Sequence, residues 1–211
     1  LFMNGVFIST YYMSDALSKE TLEDEYKITD YAVIKPNDDW DRMQPGHASY
    51  LDTAYENMEV KGTYKNEGHV YNSVKNLFDA IEKNTVFNND AKVDHDYFAK
   101  YLAHSVLFSE THSAAGDNLR LLLNMRDGKF YPVFRNEGHS DSRLRYLLFN
   151  KNKTIKNFNR LWLESFYSYN EAPMLKMYTN FIRRGALRSK RDKYLYDLIL
   201  KSNKGNNFLL I

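Results

Sequence analysis

The chain alternates short apolar runs bounded by turn residues with longer stretches in which apolar residues recur every third or fourth position. In "LFMNGVFIST", β-branched and aromatic residues flank Asn4-Gly5, which predicts a hairpin with a two-residue turn. "ITDYAVIKP" predicts a strand ended by Pro36, and "SDALSKETLEDEY" before it a short acidic helix or turn. From Asn72 the spacing of Val74, Leu77, Phe78 and Ile81 is helical, with Asn72 as the N-cap. A second helix is predicted from Asp94, its cap. There Val93 and Phe98 stand at the two staple positions, and Tyr101, Leu102 and Ser105 continue one face. Leu119 to Met125 then reads as a strand, Asp127-Gly128 as its turn and Phe130 to Phe134 as the return strand, with Pro132 marking a sheet edge. Helical spacing returns at Ile155, Phe158, Leu161, Trp162, Ser165, Phe166 and Tyr169. Pro173 interrupts it, and Leu175, Tyr178, Phe181 and Ile182 resume it.

The predicted fold class is therefore α+β: a β-rich N-terminal part, then a mostly helical lobe with an embedded β-hairpin. Residues 1–150 are expected to form the core and residues 151–211 the helical C-terminal part of the same domain. No repeat and no low-complexity linker divides them. With 211 residues, 43% of them hydrophobic and 15% aromatic, the chain can bury a core of its own. A formal charge of +2, from 29 basic and 27 acidic residues, gives no whole-molecule field to attract nucleic acid or a membrane, and no nucleic-acid partner is expected. The absence of cysteine excludes disulfides, thiol nucleophiles and thiolate metal sites. No apolar run approaches the roughly 20 residues that span a bilayer, so no transmembrane segment is expected in this chain. The opening in mid-hairpin, without an initiating Met, reads as a piece of a longer protein whose signal sequence lies upstream of Leu1.

Most candidate chemistries have ordinary explanations. Asp38, Asp39 and Asp41 around Trp40 suggest a calcium loop but lack the glycine and closing Glu of an EF-hand. The six histidines, at positions 47, 69, 95, 104, 112 and 139, contain no HExxH pair. His112, Ser113 and Asp117 are residue types of a hydrolase triad, yet no GxSxG elbow presents the serine. "RRGALRSKRDK", Arg183 to Lys193, is the solvated face and basic end of a helix before it is an anion-binding patch.

The stretch from Ser109 to His139, "SETHSAAGDNLRLLLNMRDGKFYPVFRNEGH", is different. A helix, a polar loop ending in Asn118, a hairpin and then Asn136-Glu137-Gly138 reproduce the layout of a protein-kinase catalytic lobe. A tight hairpin returns the chain to its starting point, so Asn118 and Asn136 can face one bound ion. "NGVFISTYYMSDAL" resembles, without a gap, the "NGxxxGxYxxxE" signature of the CotH family of atypical kinases: Asn4-Gly5 match the turn, Phe7 the aromatic and Tyr11 the Tyr, and Asp15 stands in the place of Glu. "DNLRLLLNMRDGKFYPVF" resembles the family's hairpin and "YAVIK" its short strand ending in Lys, here Lys35. These motifs cover most of residues 1–139, in the family's order.

The resemblance implies a protein-kinase-like (CotH-like) fold. It implies an ATP-dependent phosphotransferase, using ATP with Mg or Mn, that acts on a protein or glycan substrate of the cell envelope in an extracellular or envelope location. It assigns Asn118 as a metal ligand, Asn136 to the slot of the metal-binding Asp, and Asp15 to the Glu that positions a phosphate-contacting Lys. Four positions depart from the pattern. Ser9 replaces the second Gly, Asp15 is a methylene shorter than Glu, Asn136 is a neutral amide, and Ser113 occupies the place of the catalytic Asp. Glu137 and Asp117 are the nearby carboxylates that can take a ligand's place. His112, with an ordinary pKa near about 6.5, is the group that can serve as base. The resulting alternatives are an active transferase, a degenerate one, and a non-catalytic glycan- or protein-binding module on the same scaffold.

Overall fold

The computed structural model describes residues 2–3, 6–7, 28–36, 58–89, 92–107, 119–133 and 173–204. The chain divides into two compact units, residues 1–30 and 31–211. In the first, β1 (Phe2–Met3) pairs antiparallel with β2 (Val6–Phe7), with Phe2 opposite Phe7 and Met3 opposite Val6. That register leaves Asn4-Gly5 as the two linking residues, as the turn signal predicts. The acidic stretch 14–26, the loop 37–46 and the helical spacing at 155–169 lie outside the described residues.

The second unit is α+β. Its sheet is antiparallel and four-stranded, in the order β4 (Met58–Lys61), β3 (Tyr31–Pro36), β5 (Leu121–Asn124), β6 (Lys129–Pro132). The hairpin β5–β6 is thus not embedded alone among helices, because β5 also pairs with β3. The run Leu121-Leu122-Leu123 explains this. All three leucines are buried, and a strand apolar on both faces is stable only when flanked on both sides. β6 is the edge, as Pro132 predicts. The Phe130 N–H points away from β5 to the Lys92 carbonyl at 2.8 Å, so two residues on the missing N–H of Pro132 also faces outward and no ladder bond is lost. Tyr97 donates its hydroxyl to the outward Pro132 carbonyl at 2.9 Å, closing the edge further. The loop between β5 and β6 spans 125–128. Gly128, at φ +68°, supplies its left-handed residue, and the Asp127 carboxylate accepts from the Lys129 N–H at 2.9 Å and from the Tyr131 hydroxyl at 2.6 Å.

Helix α1 (Gly68–Glu82) begins four residues before the predicted cap, so Asn72 is an interior residue and Glu67 the N-cap position. Val70 is the reason. It lies one turn before Val74 and is fully buried, which extends the apolar stripe Val74, Leu77, Phe78, Ile81 upstream. The helix ends in a Schellman motif. Asn84 takes φ +54°, its N–H reaches the Ile81 carbonyl at 3.0 Å, and the Thr85 N–H reaches the Ala80 carbonyl at 2.8 Å. Helix α2 (His95–Leu107) is capped by Asp94, whose side chain accepts the Tyr97 N–H at 2.7 Å; Val93 and Phe98, at the staple positions, are both fully buried.

Pro173 is the first residue of α3 (Pro173–Arg183), where a missing N–H costs nothing. Helix α4 (Gly185–Lys204) follows. α3 packs on α1 and α4 on α2. Met177, Tyr178, Phe181 and Ile182 of α3 join one core with the inward face of the sheet (Ala32, Ile34, Met58, Val60, Leu121, Leu123, Phe130) and the apolar faces of α1 and α2. Buried polar groups in this core find partners: the Tyr101 and Tyr178 hydroxyls meet at 2.8 Å, and the Asn180 amide donates to the Ile81 carbonyl at 3.3 Å.

Candidate functional site

Alternation along β3 sends Ala32 and Ile34 into the core and leaves Lys35 on the opposite face of the sheet. On β4, Met58 and Val60 point inward, so Glu59 and Lys61 share the face of Lys35. The register places Lys35 directly opposite Glu59, and the two form an ion pair at 3.1 Å; Lys61 reaches the same carboxylate at 2.9 Å. The Lys35 side chain is only 13% exposed and that of Glu59 24%, whereas Lys61 is open to solvent at 52%. Lys35 is therefore the ammonium that the sheet holds in place, with Glu59 as its orienting partner.

Partial burial pushes the Glu59 carboxyl up, but the hydrogen bonds from Lys61 and Lys35 and the attraction of both ammonium groups outweigh it, and its pKa falls below the ordinary value. A carboxyl with a lowered folded pKa stabilises the fold fully above its unfolded pKa, and this contribution is lost as pH drops through the folded value. The urea midpoint of the wild type is accordingly expected to exceed that of Glu59→Gln near neutral pH, with the gap narrowing below about pH 4.3. A gap constant through the acid range would show that the Glu59 charge contributes nothing.

Lys35 also lies at a defined end of the sheet. It follows the Ile34–Leu121 pair, so it stands where β5 begins and β6 finishes. At that end the Val133 N–H donates to the Arg120 carbonyl at 3.0 Å, keeping the two strands of the hairpin together to its mouth. Arg120 and Val133 are thus neighbours where the hairpin leaves the sheet, with Asn118 two positions before the one and Asn136 three after the other in sequence. Arg120 brings a second cation to the same end; its guanidinium donates to the Leu119 carbonyl at 2.8 Å.

Of the residues assigned from the sequence, Lys35 is placed here. Asp15, His112, Asp117, Asn118, Asn136 and Glu137 lie outside the described residues. Glu59 was missed by the sequence reading. Its signal is the four-residue alternation Met58-Glu59-Val60-Lys61, too short to stand out before its partner strand is known. Among the described residues no group of three His, Asp or Glu side chains comes together to hold a metal ion. Among the described helices none is long and apolar enough to cross a membrane. The basic stretch 183–193 spends much of its charge internally: Arg184 donates to the Asn84 carbonyl at 2.8 Å, Lys190 pairs with Asp96, Lys193 with Asp197, and Arg191 is buried beside Asp192. No protein-family model, curated protein or solved structure matches the chain.

Proposed function

We propose that the chain is a CotH-like, kinase-fold domain of a secreted or cell-envelope protein and acts as an ATP-dependent phosphotransferase. One observation carries this reading: the Lys35–Glu59 pair and the mouth of the β5–β6 hairpin, toward Asn118 and Asn136, share one end of one sheet. A lysine oriented by a glutamate beside a paired-strand mouth is an arrangement suited to phosphate oxygens, since phosphoryl transfer depends mainly on positioning and on neutralising charge. Lys35 and Arg120 supply fixed positive charge there. Asn118, Asn136 and Glu137 are the residues that would hold a magnesium or manganese ion, which when bound neutralises the phosphates. His112 is the candidate proton acceptor for the attacking hydroxyl, and Asp117, five residues on, the nearby carboxylate. Lys35 and Arg120 are the residues that would meet the phosphate part of the nucleotide.

Nucleotide binding tests the reading. Titration with manganese ATP, followed by calorimetry or NMR, is expected to show weak binding, because the neutral Asn136 amide brings no negative charge to the cation. Lys35→Met should weaken it about tenfold further, the scale of one charge-assisted contact, while the exposed Lys61→Met should leave it within about twofold. Glu59 keeps one lysine partner in either variant, so the sheet should survive both. Binding indifferent to Lys35→Met would remove Lys35 from the site. Low-micromolar binding would show that Asn136 and Glu137 hold the ion better than a neutral amide accounts for.

A further inference from the structure

At the opposite end of the sheet, beside the β5–β6 loop, lies an open groove of about 390 Å³ lined by Ser73 and Asn76 of α1, by Thr85, Asn88 and Asn89 of the connection to α2, and by Lys92. Gly128 and Phe130 close its hairpin side, and its volume falls within the range of roughly 300–1,000 Å³ in which small-molecule sites occur. Its walls are rigid. The Schellman motif and the buried Val86 and Phe87 fix the α1–α2 connection, and the Phe130 N–H bond to the Lys92 carbonyl ties that connection to the sheet. From the link between α3 and α4, Arg184 donates to Asn88 Oδ1 at 3.1 Å, which turns the amide so that its nitrogen remains to donate.

The hydroxyls decide what kind of ligand this lining suits. Ser73 gives its proton to the His69 carbonyl at 3.0 Å and Thr85 its proton to the Ala80 carbonyl at 3.3 Å, so both oxygens face the groove as acceptors only. A fully ionised anion such as sulfate has no proton to offer them, and its oxygens would meet their lone pairs. A hydroxyl both donates and accepts, and the lining supplies both halves: acceptors at Ser73 and Thr85, donors at Asn88 and Lys92, and either at Asn76. Among the described residues no carboxylate lines the groove.

We propose that this groove is a binding site for a neutral saccharide, of mono- or disaccharide size, recognised by the alternating donors and acceptors along its wall. The site is independent of the phosphotransferase reading, since Lys35 and the hairpin mouth lie at the other end of the sheet. The test is saturation-transfer NMR on the whole chain with glucose, galactose, N-acetylglucosamine, cellobiose and chitobiose as probes, and with inorganic sulfate added as an anionic competitor. At least one neutral sugar is expected to bind in the millimolar range, a typical weak-site affinity. Asn76→Ala and Lys92→Met, both substitutions at the groove surface, should each weaken it about tenfold, as loss of one hydrogen-bond partner without a replacement predicts, while the melting curve stays unchanged. Lys35→Met should leave sugar binding intact, so failure of this site and failure of the nucleotide site are read separately. No response to any of the sugars, displacement of every sugar by sulfate at a lower concentration than the sugar's own, or a sugar signal indifferent to both groove variants would each overturn the proposal.

Discussion

Phe98→Ala is expected to destabilise the protein by about 3–5 kcal/mol, the range for removing a large aromatic side chain from a packed core. Phe98 is fully buried at the start of α2, and its ring meets four others: Phe181 at 5.1 Å, Phe87 at 5.2 Å, Tyr178 at 5.5 Å and Tyr101 at 5.9 Å between centroids. These partners come from the α1–α2 connection, from α2 itself and from α3, so the ring joins segments distant in sequence. Aromatic pairs of this geometry add roughly 0.5–1.5 kcal/mol each beyond the area they bury. Neighbours braced by one another cannot collapse easily into the space left behind. Against a total stability of about 5–15 kcal/mol, the loss is a large fraction of the whole. Urea denaturation should show a lower midpoint with an unchanged slope. Tyr196→Ala, at a position 61% exposed on α4, should by contrast stay within about 0.5 kcal/mol of the wild type. A Phe98→Ala protein less than 1 kcal/mol weaker, on the same ~3–5 kcal/mol scale, would contradict the packing of α2 against α3.

The second large effect concerns chemistry. Under the phosphotransferase reading, Asn118→Ala is expected to lower incorporation of labelled phosphate about a hundredfold or more, the scale of several kcal/mol of charge stabilisation at the transferred group. Asn118 carries one of the few ligand groups left beside the hairpin once Asn136 has replaced a carboxylate. Asn136→Asp should preserve or raise activity, because it restores a negative charge to the cation. A binding module on the same scaffold would show no phosphate signal for either variant to change, and its partner binding would survive Asn118→Ala. Robust incorporation that ignores Asn118→Ala would remove that residue from the site, and with it the role drawn for the hairpin mouth. Incorporation abolished by Asn136→Asp would show that the amide is required as it stands.

What the sequence determined by itself was local. Asp94 capping α2, Gly128 in the left-handed turn position, Pro132 on an edge strand, and the apolar stripe Val74, Leu77, Phe78, Ile81 all depend on the chemistry of a few adjacent residues, and each could be read from spacing. The start of α1 was misplaced because Asn72 is a good cap in isolation, whereas burying Val70 against the core stabilises an extra turn that no local signal weighs. The helical spacing that resumes after Pro173 is α3, with the proline at its first position, and tertiary packing places that helix on α1. Tertiary structure alone decided that β3 pairs with β5, because the register joins residues about ninety positions apart and strand pairing leaves no periodicity linking its two halves. That pairing brings Lys35 to the end of the sheet where the hairpin opens, the β3–β4 register gives it Glu59 as partner, and the amide-lined groove lies at the far end, beside Gly128. Lys35 was legible in sequence as a strand-ending lysine, but its partner Glu59 and its place at the hairpin's end of the sheet depend on long-range backbone pairing that the residues themselves do not encode locally.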